Sequence, residues 1–230
     1  MPVIIHWFRS DLRLCDNPAL TLAAHSGQVI PIYILEEETE KNNEQTITGL
    51  QQTHAMGAAT KLWLHHALSS LHADLQCNLI FRYGNADRIL RELIDETSAQ
   101  QVTMTRQYTP QQSERDENIR QKLQEKGVKV TIETGNLLWD PEQITKQDGT
   151  PYKVFTPFYR RGCLAANPPR QPLPRPDINF YKEICIFSCV LSHPKSFRSK
   201  QKDVISLPFY VCEIFLTFCV KTINPEIFFS

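Results

Sequence analysis

Over its first 133 residues the chain alternates short apolar runs with stretches of helical periodicity. The runs fall at 3–8 (VIIHWF), 29–35 (VIPIYIL), 79–83 (LIFRY), 102–107 (VTMTRQ) and 128–132 (VKVTI). The first two are nearly continuously apolar, which is how a strand covered on both faces reads. Strand–helix alternation of this kind leaves few topologies open. Right-handed crossovers build a parallel sheet with helices on both sides. The expected fold class is therefore α/β, a Rossmann-like, doubly wound five-stranded parallel sheet. An irregular Pro-rich linker and an unassigned tail follow it. Such sheets bind ligands beyond the carboxyl ends of their strands, near the switch in strand order. The loops to watch are 9–16, 36–54 and 107–115.

Local punctuation supports the element boundaries. Asn17 is placed to cap a helix, and Pro18 fits the first helical position, where a missing N–H costs nothing. Gly27 ends that helix. A longer helix is expected over about 55–75. Leu64, Leu68, Leu71 and Leu75 form its apolar stripe, with Trp63 and Ala67 beside it. Pro110 opens the helix that runs to Lys126, and Thr109 with Gln112 has the spacing of a capping box.

Charge and composition narrow the function classes. Lys and Arg together number 25, as do Asp and Glu, so no overall field favours nucleic acid. No glycine-rich phosphate loop follows the first strand, and no nucleophile elbow is present, which argues against a nicotinamide dehydrogenase, a P-loop enzyme or an α/β hydrolase. Seven scattered cysteines without ligand spacing indicate no metal and fit a reducing, cytoplasmic compartment. The first residues read as strand and loop, with no leader peptide.

The first loop carries Arg9, Asp11, Arg13 and Asp16 in the string HWFRSDLRLCDNPAL. As charges alone they could be mutual ion pairs fixing one turn, or a preorganised frame at an interface. The string resembles the opening signature of the photolyase/cryptochrome family. Two further segments resemble it in the right order: QYTPQQSERD (107–116) and PYKVFTPFYRR (151–161), the latter containing Lys153. The resemblance spans roughly residues 1–177.

That resemblance implies the N-terminal, antenna-holding domain of a blue-light-dependent deoxyribodipyrimidine photolyase, which repairs cyclobutane pyrimidine dimers in damaged DNA. It implies an antenna chromophore, methenyltetrahydrofolate ahead of deazaflavin. His54 and Met56 would contact the pterin, with Gln111 and Gln112 at the positions that supply an amide and a carboxylate. Gln112 lacks the carboxylate's charge, so pterin binding is expected to be weaker or altered. Arg9, Asp11, Arg13, Asp16 and Lys153 would form the signature loop and interdomain surface. Phe155 and Phe158 are expected to be buried by docking. FAD is expected for the full-length family and not for this chain, which is read as a fragment without the catalytic domain, inactive alone and monomeric. The alternatives are a cryptochrome-type photoreceptor fragment and a free-standing α/β nucleotide-binding module.

The expected division is 1–134 for the α/β domain, 135–177 for the linker and 178–230 for a non-homologous tail. From Ile178 onward Gly and Ala vanish while Phe and Cys accumulate, as an out-of-frame translation of AT-rich DNA would produce. Residues 204–220 are apolar but contain Pro208 and Glu213, so a membrane anchor is disfavoured.

Overall fold

The computed structural model describes residues 1–36 and 57–182. Five parallel strands form one sheet: β1 (Val3–Phe8), β2 (Gln28–Leu35), β3 (Ile80–Tyr83), β4 (Gln101–Thr105) and β5 (Lys129–Glu133). Their order across the sheet is β3-β2-β1-β4-β5, the doubly wound arrangement expected from the alternation. The helices between them are α1 (Pro18–Ser26), α2 (Ala58–Asp74), α3 (Ala86–Thr97) and α4 (Pro110–Glu125).

Two layers of core cover the sheet. Ile5, Trp7, Ile30 and Ile32 turn to one face, where Ile89, Leu90 and Leu93 of α3 and Ile119 and Leu123 of α4 meet them. Phe8 and Tyr33 turn to the other, against Leu20 of α1 and Leu68 and Leu71 of α2. The strand period of two sends alternate side chains to opposite layers, which is why the runs of β1 and β2 are nearly apolar throughout.

Several boundaries are set locally. The Asn17 side chain accepts from the Leu20 N–H at 3.0 Å, and its amide donates to the Arg13 carbonyl at 3.1 Å, so one buried residue caps α1 and closes the preceding loop. Gly27 has no room for a side chain, since a Cβ would stand 2.1 Å from the Pro2 carbonyl oxygen. The Thr109–Gln112 pair meets differently from a capping box. The Thr109 hydroxyl donates to Gln112 Oε1 at 2.6 Å, side chain to side chain, and no side-chain cap bond reaches the backbone. Trp63 also departs from expectation: it is 78% exposed, while Leu68, Leu71 and Leu75 are buried.

Beyond β5 the chain has only short turns, a 3₁₀ turn at Pro141–Gln143 and a helical turn at Phe155–Pro157 running into a π turn at Phe158–Cys163. It then returns to the sheet. The Val29 N–H donates to the Asn179 carbonyl at 2.8 Å, and the Tyr181 N–H donates to the Val29 carbonyl at 3.1 Å. Phe180 pairs with Val29 in a parallel bridge, and Ile178 and Phe180 pack on the α1/α2 layer. This strap covers the first half of the β2 edge, and β3 covers the second half from Ile32. Pro31 lies between them and offers no N–H, which suits a gap in the ladder. Packing therefore continues four residues past Asp177.

Ile178→Ala is expected to cost about 1–2 kcal/mol, less than a fully buried Ile because the residue is partly exposed. Chemical denaturation of the two proteins measures it. A second expectation concerns His6, buried in β1 with Nδ1 2.9 Å from Thr103 Oγ1 and its ring edge-on to Phe8. Burial, helped by the Arg9 charge, lowers its pKa from 6.5 to about 3. The unfolded chain thus takes up a proton that the folded chain refuses. Stability should fall as pH drops from about 6.5 towards 3. Urea unfolding midpoints for the wild type and His6→Gln should converge across that window, the variant's acid limb being flatter.

Candidate functional site at the carboxyl edge

The switch in strand order lies between β1 and its two neighbours, since β2 flanks it on one side and β4 on the other. The chain leaving β1 at Phe8 and the chain leaving β4 at Thr105 bound the crevice expected there. The first turn of α4 and Glu36, at the end of β2, complete its rim.

Arg9 organises this edge. Its guanidinium donates to the Asp116 carboxylate of α4 and to the Thr105 carbonyl at the end of β4. Only 8% of the Arg9 side chain and 4% of that of Asp116 are exposed, so the pair is a buried one. Burial pulls the Arg9 pKa down, and Asp116 opposes that pull. Arg115 shares Asp116, with its Nη2 3.0 Å from Oδ1, and reaches across to pair with Glu36. Both guanidinium groups stand over the Trp7 ring, 4.8 Å from its centroid for Arg9 and 5.3 Å for Arg115. The result is two cations and two carboxylates linking three strand ends above one indole. The Trp7 Nε1–H is buried and has no hydrogen-bond partner among the described residues. A buried donor without a partner is uncommon in folded proteins.

The rest of the first loop holds other segments. Arg13 grips the Asp11 carboxylate with two bonds, of 2.9 and 3.1 Å, and donates to the Gly135 carbonyl at 3.0 Å. Asp16 adopts a left-handed backbone, φ 52°, which Asp tolerates better than most residues. That turn lets its N–H donate to the Leu173 carbonyl at 2.8 Å, while its carboxylate accepts from the Leu173 N–H at 3.2 Å and from Arg170. All four charges of this loop are thus engaged within the chain. The loop fastens α4, the exit of β5 and the strap to the end of β1.

Of the other residues singled out in the sequence, Gln111 and Gln112 are exposed on the first turn of α4, one turn before Arg115. His54 and Met56 lie outside the described residues. Lys153 is exposed in the linker. Phe155 and Phe158 are exposed too, contrary to the expected docking. Phe155 stacks on Tyr159 and Phe158 meets the Tyr152 ring edge-on, both within the same turn. Sequence reasoning missed Glu36, Trp7 and the Asp16–Leu173 link. Only the position of Glu36 at the end of an apolar run hinted at the first. Among the described residues no group of His, Cys, Asp and Glu could hold a metal, and no helix is long and apolar enough to cross a membrane.

The Asp16 link gives a testable consequence. Its partners hold the Asp16 carboxyl below the usual carboxylate range, Arg170 first and then the Leu173 N–H. The clamp is therefore complete above the ordinary Asp pKa and is lost as pH falls through the lowered value. Asp16→Asn should speed limited proteolysis within 165–176 at neutral pH. The wild type should approach the variant's rate only under acid conditions.

Three comparisons bear on this geometry. A family model described as DNA photolyase matches residues 4–177. The chain is 40% identical over 163 residues to a deoxyribodipyrimidine photo-lyase of Agrobacterium fabrum, covering 69% of this chain and 31% of that protein. It is 32% identical over 177 residues to Cryptochrome-2 of Arabidopsis thaliana, covering 75% and 27%. In structure it is similar to a bacterial class III photolyase from Agrobacterium tumefaciens, with a TM-score of 0.67 at 35% identity, covering 84% of this chain and 39% of that one. The chain spans about a third of the length of these relatives.

Proposed function

Because the chain belongs to the DNA photolyase family, we propose that its α/β unit is the antenna-holding part of a photolyase that repairs pyrimidine dimers in damaged DNA. The observation that supports this reading is the charged network at the switch point, where Arg9, Arg115, Asp116 and Glu36 gather over the Trp7 ring. The repair reading is favoured over a photoreceptor by the higher identity to the photo-lyase, 40% against 32% for the cryptochrome. In this proposal residues 1–134 form the antenna unit and 135–177 the linker, with the strap extending its packing to Tyr181. The photochemistry belongs to the part of the relatives outside the matched region. No catalytic residue and no FAD contact are assigned to the described residues.

The rim fits a pterin by its chemistry. A 2-amino-4-oxopyrimidine edge presents adjacent N–H donors beside a carbonyl, and calls for acceptors on one side and a donor on the other. Gln111, Gln112 and Glu36 can accept, and Gln111 and Gln112 can also donate. Methenyltetrahydrofolate, when bound, would supply light absorption and pass the excitation on. The chain's own residues hold and orient it. The Arg9–Asp116 pair fixes the rim, and α4 presents its first-turn amides. Gln112 is a neutral substitute for a carboxylate, already engaged by Thr109, so it makes a weaker partner than a charged acceptor would.

Fluorescence titration of the purified chain with methenyltetrahydrofolate tests the reading. Saturable binding is expected, tightened about tenfold by Gln112→Glu, the effect of one charge-assisted bond in place of a neutral one. Absence of saturable binding to both proteins would remove the antenna assignment.

A further inference from the structure

The chain holds three tryptophans, and their electrostatic settings differ. Trp63 stands in solvent on α2. Trp139 donates from Nε1 to the Asn167 carbonyl at 2.8 Å. Trp7 is 1% exposed, in the middle of the layer between the sheet and the α3 and α4 helices. The guanidinium groups of Arg9 and Arg115 both lie over its ring, at 4.8 and 5.3 Å from the centroid. Unlike Trp139, it has no acceptor for its Nε1–H among the described residues.

These features act in one direction on the ease with which the indole loses an electron. Oxidation turns the ring into a radical cation, so whatever disfavours positive charge there protects it. Burial withdraws the water that would solvate that charge. A guanidinium is attracted to the negative face of a neutral indole, and the same cation repels the ring once it is positive. An acceptor at Nε1–H would favour the charged form, and none is present. Arg9, Arg115, Asp116 and Glu36 sum to zero charge, so the order of the charges decides the field. The two acids are held by the guanidinium nitrogens, and neither accepts from the indole. The charges stacked on the ring are the cations.

We propose that Arg9 and Arg115 hold Trp7 as a tryptophan that does not give up an electron, so that it cannot quench an excited aromatic chromophore bound at this edge. The step they prevent is a single electron transfer. One electron would pass from the indole to the excited chromophore, leaving an indole radical cation and a chromophore radical anion, and its return would dissipate the excitation. The purpose rests on the antenna reading given above. The redox property belongs to the chain without any ligand. It is therefore measured on the bare protein, and its failure is distinct from failure of the pterin titration.

The test is photo-oxidation of the purified full chain by tris(bipyridine)ruthenium(II) with persulfate, which generates ruthenium(III) as a one-electron oxidant. Peptide mass spectrometry reads the rate at each tryptophan, with Trp63 as the internal reference. Trp7 should be the slowest of the three. Arg115→Gln removes one cation and should speed its oxidation about tenfold. Arg115→Lys keeps the charge and should keep the slow rate. Glu36→Gln removes an acid, leaves the cation on the ring and should not speed the reaction. Simple shielding by packing predicts a different pattern, because Arg115→Gln and Glu36→Gln both break the same ion pair and would loosen the cover alike. Equal acceleration by those two variants, no acceleration by Arg115→Gln, or a wild-type Trp7 oxidised as fast as Trp139 would each overturn the proposal.

Discussion

The buried pair between Arg9 and Asp116 is the interaction on which the rest of the edge depends. The two residues are 107 positions apart, and their contact closes the unit from its first strand to its last helix. A guanidinium and a carboxylate withdrawn from water are tolerated only when each satisfies the other and further bonds occupy what remains. That condition is met here by the Thr105 carbonyl on one side and Arg115 on the other. Because each member of the set has two partners, the carboxyl ends of β1 and β4 and the start of α4 are held in one geometry. Glu36 brings the end of β2 into the same network through Arg115. This edge of the sheet is fixed by charges held in mutual pairs.

The same loop does a second job with its remaining charges. Asp11 and Arg13 secure the exit of β5 through Gly135, and Asp16 fastens the strap through Leu173. The sequence therefore packs a dense charge string into one turn because that turn is a junction of four segments. Its charges face inward to those segments, and the outward-facing features are the neutral amides of α4 and the aromatic turn of the linker. The pterin contacts proposed for Gln111 and Gln112 thus lie outside this junction.

How much of this was legible in the sequence follows from the range of the physics involved. Asn17, Pro18 and Gly27 act on residues within a few positions, so the limits of α1 could be read directly. The first two strands announced themselves because burial on both faces makes them nearly apolar throughout, whereas β4 and β5 carry Thr, Gln and Lys and read less clearly. Strand order, by contrast, was not read from the sequence, since general rules of chirality and connection give a doubly wound sheet without its order. The partnership of Arg9 with Asp116 and the clamp of Asp16 on Leu173 depend on where the fold places residues more than 100 positions apart, and no local pattern encodes that. Phe155 and Phe158 show the opposite error. Their apolarity was read as burial by docking on a domain surface, yet apolarity does not say which surface will cover a side chain. Packing past Asp177 was hidden for a related reason, since Ile178 and Phe180 share the composition of the segment that follows them.

A double-mutant cycle on Arg9 and Asp116 tests the central claim most directly, using Arg9→Met, Asp116→Leu and the double variant with unfolding free energy as the readout. Each single change should cost about 3–5 kcal/mol by stranding a buried charge, and the double variant should cost less than the sum of the two by about 2 kcal/mol or more. Additive effects within about 0.5 kcal/mol would contradict the account, because the two groups would then be neighbours and not the pair that holds the edge together.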